Sequence, residues 1–89
     1  MTFERWRNFS KHDQLLHIGA EIVRASVYQN KDKEAFSFSI NEVIKLIDLT
    51  LNDQKWKEYA YLLEGLELEI KKFLRGERTE NIKILYQAL

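Results

Sequence analysis

Apolar positions recur every three or four residues through most of this 89-residue chain, the period of an α-helix and not of a strand. In the first long segment Leu15, Ile18, Ile22 and Ala25 recur, with Leu16, Gly19, Val23 and Ser26 beside them. Ser10 suits an N-cap, and Asp13 favours the positive helix start. The spacing predicts a helix from Ser10 to about Gln29, with Asn30 as its stop. At about 100° per residue the small and apolar residues cover more than half of its circumference. That predicts a central helix contacted from several sides, with Gly19, Ala20 and Ala25 admitting a close neighbour.

The second segment carries Phe36, Ile40, Val43, Ile47 and Leu51 on one stripe, with Ile44 at its edge. A helix from near Asp32 to near Leu51 fits this stripe. A shorter one remains open, because Ser39 with Glu42 reads as a capping box and Phe38 with Val43 as a hydrophobic staple. The third segment places Trp56, Tyr59, Leu63, Leu66, Ile70 and Phe73 at alternating steps of three and four, a heptad seam. It predicts a helix opening at Asn52 or Asp53 and ending near Arg75, before Gly76; with Asn52 as the cap, Leu51 and Trp56 form a staple. The links are short, so neighbours run antiparallel. The expected fold is all-α, an up-down-up three-helix bundle in one domain spanning residues 1–89. Short helical segments are expected at both termini: Phe3, Trp6 and Phe9 as a turn over one end, and Ile82, Leu85, Tyr86 and Leu89 after a cap at Thr79. The run from Ile82 to Tyr86 also alternates like a strand, but no other strand exists to pair with it.

Composition narrows the chemistry. There is no cysteine, which excludes disulfides, a thiolate nucleophile and cysteine-ligated zinc. There is no proline either, as suits long uninterrupted helices. Lys and Arg together number 14, as do Asp and Glu, so a protein devoted to gripping phosphates is not expected. No apolar run approaches the roughly 20 residues of a membrane span. The opening MTFERWRNFS lacks the apolar core of a signal peptide, so a cytoplasmic address is expected.

The histidines are the remaining candidates for chemistry near neutral pH. His12 and His17 lie five residues apart, about 140° around a helix, and do not chelate one ion as an i, i+4 pair would. His17 falls in a polar strip with Asp13, Glu21, Arg24 and Tyr28. The expectation there is a solvated face in which His17 meets Asp13 and Glu21, and Glu21 meets Arg24. The alternative is a metal site of His17, Asp13 and Glu21 completed from another helix. His12 is expected to pack near Phe9 and Leu16. No metal and no cofactor are expected. Lys71, Lys72, Arg75 and Arg78 gather at the end of the third helix, where cations complement the helix dipole and Glu64, Glu67 and Glu69 offset their field.

Arg7 and His12 form Arg-x4-His, which resembles the Arg-x4–6-His signature of HEPN ribonucleases, a family of helical domains that dimerise to build an RNA-cleaving site. The resemblance implies catalytic roles for Arg7 and His12 and covers only this motif, which in that family lies toward the domain's end and here near its start. More broadly, LLHIGAEIVRA, LIDLTLNDQKW and LLEGLELEIKKFLRG resemble a group of short uncharacterised bacterial helical proteins over about residues 12–76. That resemblance implies a cytoplasmic helical bundle and no active site. The expected function is a non-enzymatic interaction module that binds a protein partner or itself. On the longer second helix, Phe38 and Leu49 leave the stripe together, about 20° apart. The terminal segments would cover them within one chain, or a second copy would do so as a homodimer. If that helix starts at Ser39, this patch dissolves.

Overall fold

A computed structural model describes residues 1–89. The chain is all-helical: α1 (Phe3–Trp6), α2 (Lys11–Tyr28), α3 (Lys33–Leu51), a 3-10 segment Gln54–Tyr59 leading into α4 (Ala60–Leu74), and a C-terminal 3-10 segment Ile82–Ala88. The three long helices run up, down and up, with a short helical segment at each end.

Caps set the helix boundaries. Ser10 Oγ accepts from the Asp13 N–H at 3.1 Å, so α2 begins where the sequence places it. Asp32 Oδ1 accepts from the Ala35 N–H at 3.1 Å, which selects the longer second helix. Ser39 lies buried inside α3 and caps nothing. At the next junction the structure selects Asp53 of the two expected openings. Asn52 closes α3, its N–H and Nδ2 both donating to the Asp48 carbonyl. Asp53 Oδ1 takes the capping role, accepting from the Lys55 N–H at 3.1 Å. The turn after Asp53 winds as 3-10, so the α-helical part of the third helix starts at Ala60.

Gly76 ends the third helix with φ 77°. The Glu77 N–H returns to the Lys72 carbonyl at 2.8 Å and the Gly76 N–H to the Phe73 carbonyl at 3.2 Å, the paired bonds of a Schellman cap. The last segment is capped by Asn81, whose Oδ1 accepts from Lys83 N–H at 2.9 Å, and not by Thr79. Gln29, at the end of α2, fastens this segment from both sides. Its Nε2 donates to the Glu80 carbonyl at 2.6 Å, and its Oε1 accepts from the Ile82 N–H at 2.8 Å.

The central helix is α3, not α2. Both α2 and α4 pack along α3, and the C-terminal segment lies against α2 and α4. Ile40, Val43 and Ile47 of α3 are fully enclosed, as are Ile18, Ile22 and Ala25 of α2, Ile70 of α4, Ile82 and Trp6. The wide apolar arc of α2 misleads because Leu16, Val23 and Val27 stay exposed; only the stripe through Ile18, Ile22 and Ala25 is buried. Gly19 does admit a neighbour, the C-terminal segment: a Cβ there would stand 2.6 Å from Tyr86 Cε2 and 3.3 Å from Leu89 Cδ1. On the predicted third-helix seam, Trp56, Leu63, Ile70 and Phe73 are buried and Leu66 is half-buried, but Tyr59 is exposed. Tyr59 instead lays its ring edge on Trp56 with centroids 6.2 Å apart, and Lys11 Nζ sits 4.8 Å above the Tyr59 ring.

Candidate interaction surface

Arg7 closes α1 and is exposed. It borders a shallow polar groove shared with Phe3, Asp53 and Lys55, and His12 is not among that groove's walls. His12 sits in the first turn of α2 and is exposed. The two residues of the Arg-x4-His motif thus do not share that groove. What Arg7 contributes to that groove by contact is its carbonyl, which accepts from Lys55 Nζ at 2.9 Å.

His17 is exposed, yet its neighbours are not the expected carboxylates. Its ring lies 4.9 Å from the Phe9 ring and 5.7 Å from the Trp6 ring. The contact with Phe9 expected of His12 therefore belongs to His17. The chain folds back after α1 and brings both aromatic rings over the polar strip of α2. Glu21 does pair with Arg24, at 2.8 Å. Asp13 spends its backbone N–H on the Ser10 cap. No three His, Asp or Glu side chains gather as a metal-binding group, so His17, Asp13 and Glu21 do not form one.

The basic cluster is neutralised locally. Lys71 pairs with Glu67 at 3.1 Å, Lys72 with Glu69 at 3.0 Å, Arg75 with Glu77 at 2.8 Å, and Arg78 with both Glu69 and Glu80 at 2.8 Å. The hydrogen bond from Lys72, reinforced by Arg78, holds the Glu69 carboxyl below its usual range. Arg78 also lies 4.7 Å over the Phe73 ring. These charges stitch the end of α4 to the following loop and leave little net field for an anion.

One carboxylate is less well served. Glu67 Oε2 is buried and receives no donor. Burial pushes the Glu67 carboxyl up, and the Asp48 carboxyl beside it on α3 adds to the shift, while Lys71 opposes it.

A buried polar network escapes the sequence patterns altogether. Gln14 is fully enclosed on the core side of α2. Its Nε2 donates to the Trp6 carbonyl at 2.9 Å and to Asp53 Oδ2 at 3.0 Å, and its Oε1 accepts from Trp56 Nε1 at 2.6 Å. Trp6 Nε1 donates to Thr50 Oγ1 at 2.9 Å, which donates in turn to the Leu46 carbonyl. Lys55 Nζ lies 2.7 Å from Asp53 Oδ2. Burial pushes the Asp53 carboxyl up, but the bonds from Lys55 and Gln14 outweigh it and hold that carboxyl below its usual value. The network ties α1, α2, the end of α3 and the 3-10 segment to one another. Its only advance signal is a lone glutamine on an otherwise apolar arc.

A second groove is apolar. Leu15 of α2, Trp56, Leu62, Leu63 and Leu66 along the third helix, and Leu85 and Leu89 of the C-terminal segment wall a groove of about 320 Å³, with Glu69 as its one charged lining residue. A volume near 300 Å³ is at the small end of ligand pockets and fits one or two apolar side chains. Beside the groove, Tyr61, Leu62 and Leu68 project from α4 at 68%, 56% and 62% exposure. Their advance signal is plain in retrospect: all three are apolar residues lying off the heptad seam. Of the residues expected as an interface on α3, Phe38 is 66% exposed, while Leu49 is half-buried and packs against the core. The terminal segments therefore leave Phe38 open.

No helix is long and apolar enough to cross a membrane. Comparison of the chain with models of known families, with curated proteins and with solved structures finds no match.

Proposed function

We propose that this chain is a small non-enzymatic helical interaction module that binds a protein partner or itself. The observation that supports this reading is the open apolar groove between α2, α4 and the C-terminal segment, continuous with the exposed Leu62 of α4. Contiguous exposed apolar surface on a folded domain marks an interaction site, and a groove this small accepts anchor side chains better than a cofactor. The reading includes a cytoplasmic setting, in keeping with a small core that uses no disulfide, and with the resemblance to short bacterial helical proteins.

Site-specific photo-crosslinking tests it. A photo-reactive phenylalanine analogue in place of Leu62, in the native host, is expected to give one dominant adduct. The same analogue at Lys31, an exposed polar position far from the groove residues in sequence, is expected to give none. Absence of any adduct from position 62 overturns the reading.

A further inference from the structure

The outer face of α4 is complementary to its own reverse. At about 100° per residue, Tyr61, Leu62, Leu68, Glu69 and Lys72 all lie within about 60° of Gly65 around the helix. None belongs to the buried seam of Leu63, Ile70 and Phe73. At the centre, Gly65 is exposed, and nothing lies within 4 Å of where its Cβ would stand. Exposed leucines and a tyrosine thus flank a gap in the side-chain surface, where another backbone can approach closely. Leu62, Gly65 and Glu69 also form part of the wall of the apolar groove.

We propose that this face is covered by α4 of a second copy, antiparallel to the first and centred on Gly65. The proposal rests on the interaction-module reading and names its partner. In such a pair, a residue a given number of positions before Gly65 meets the residue the same number after it, and each contact is made twice. Leu62 then meets the level of the partner's Leu68. Because Leu62 lies on the groove side of the face, it enters the other copy's groove while its own groove receives the equivalent leucine. Tyr61 stands against the partner's Leu68 on the opposite side of the seam.

Charge selects this direction. Glu58 lies in the 3-10 segment two residues ahead of α4, at the end of this face that Lys72 of an antiparallel copy reaches. Glu58 is exposed and pairs with no cation of its own chain. Lys72 holds Glu69 at 3.0 Å and has further donors to give, since an ammonium carries three. A parallel pair would instead set Glu58 against Glu58, Glu69 against Glu69 and Lys72 against Lys72, a repulsive arrangement.

Sedimentation of the full chain at micromolar concentration tests the proposal. The wild type is expected to be a dimer. Leu68→Glu, at an exposed position that leaves the fold intact by circular dichroism, is expected to weaken it about a hundredfold. Glu58→Lys and Lys72→Glu are each expected to weaken it, and the double exchange to restore it. A monomeric wild type overturns the proposal. So does a dimer indifferent to Leu68→Glu, or one abolished by Phe38→Glu instead, or a double exchange that restores nothing. A monomer that still gives one heterologous adduct from position 62 leaves the interaction-module reading standing and removes only the second copy. A monomer with no adduct removes both.

Discussion

Gln14 shows how one polar side chain organises a small core. Its amide makes three hydrogen bonds, to Trp6, Asp53 and Trp56, and is fully enclosed. A buried amide of this kind is neutral to stability only while every partner is kept. Gln14→Leu conserves volume but leaves Trp56 Nε1 without its acceptor, and takes one donor each from Asp53, which keeps Lys55, and from the Trp6 carbonyl, which keeps the Phe9 N–H. The expected loss is about 2–4 kcal/mol, measured by urea denaturation, with Trp fluorescence reporting the changed environment of both indoles. A loss below about 1 kcal/mol would mean that water replaces the amide. His17 is the complementary lesson. Its position in a polar strip is local and readable, but its aromatic neighbours arrive from residues before the helix begins.

Helix ends and contacts between helices obey different rules, and the glycines separate them. Gly65 lies in an exposed stretch of α4 with free space at its Cβ position within one chain, so in the monomeric Leu68→Glu background Gly65→Ala is expected to stabilise by about 0.5–1 kcal/mol. Gly76 holds a positive φ in the helix cap, so Gly76→Ala is expected to cost about 1 kcal/mol. Thermal melts of the two variants should move in opposite directions. The contact between α3 and α4 is where pH acts. Burial, then Asp48, raises Glu67 in the folded state, so its protonated form favours folding. That contribution is full below the ordinary glutamate value, about pH 4.3, and is lost as pH rises through the raised folded value. Asp53 acts in the opposite sense: its carboxyl is depressed, and its contribution is lost only as pH falls through that lower value. Glu67→Gln is therefore expected to be more stable than the wild type at neutral pH, with the difference shrinking toward acid. Denaturation midpoints at several pH values check this, and a variant less stable at neutral pH would contradict it.

The C-terminal segment completes the fold. Ile82 is fully enclosed and Leu85 nearly so, in the space between α2 and α4 that three helices alone leave open. Ile82→Ala is expected to cost about 2–5 kcal/mol, as much as Ile22→Ala or Leu63→Ala in the helices themselves, and a large share of a small domain's stability. If hydrogen exchange showed the segment opening freely while the helices stay protected, the segment would be an appendage and this expectation would fail. The exposed face of α4 belongs at the same level, since a domain of this size gains proportionally from burial against a second copy.

Helix type, direction and most boundaries were legible along the chain, because the features that set them are local. Ser10 and Asp32 cap within three residues of themselves, Gly76 stops the third helix, and stripes such as Phe36, Ile40, Val43 and Ile47 need only a fixed angle per residue. Periodicity cannot rank apolar arcs against one another, so Leu16 and Val23 counted as much as Ile18 and Ile22, and α2 was expected at the centre that α3 occupies. The candidate site was legible only as surplus apolar residues, and the pair first singled out, Phe38 and Leu49, divides between solvent and core. What packing alone decided joins residues far apart in sequence. Trp6 finds Thr50, Gln14 finds Trp56, Gln29 finds Ile82, and Leu15 meets Leu89 across one groove. No local angle encodes those meetings. They follow from which face of each helix is left to cover once the core around α3 has closed.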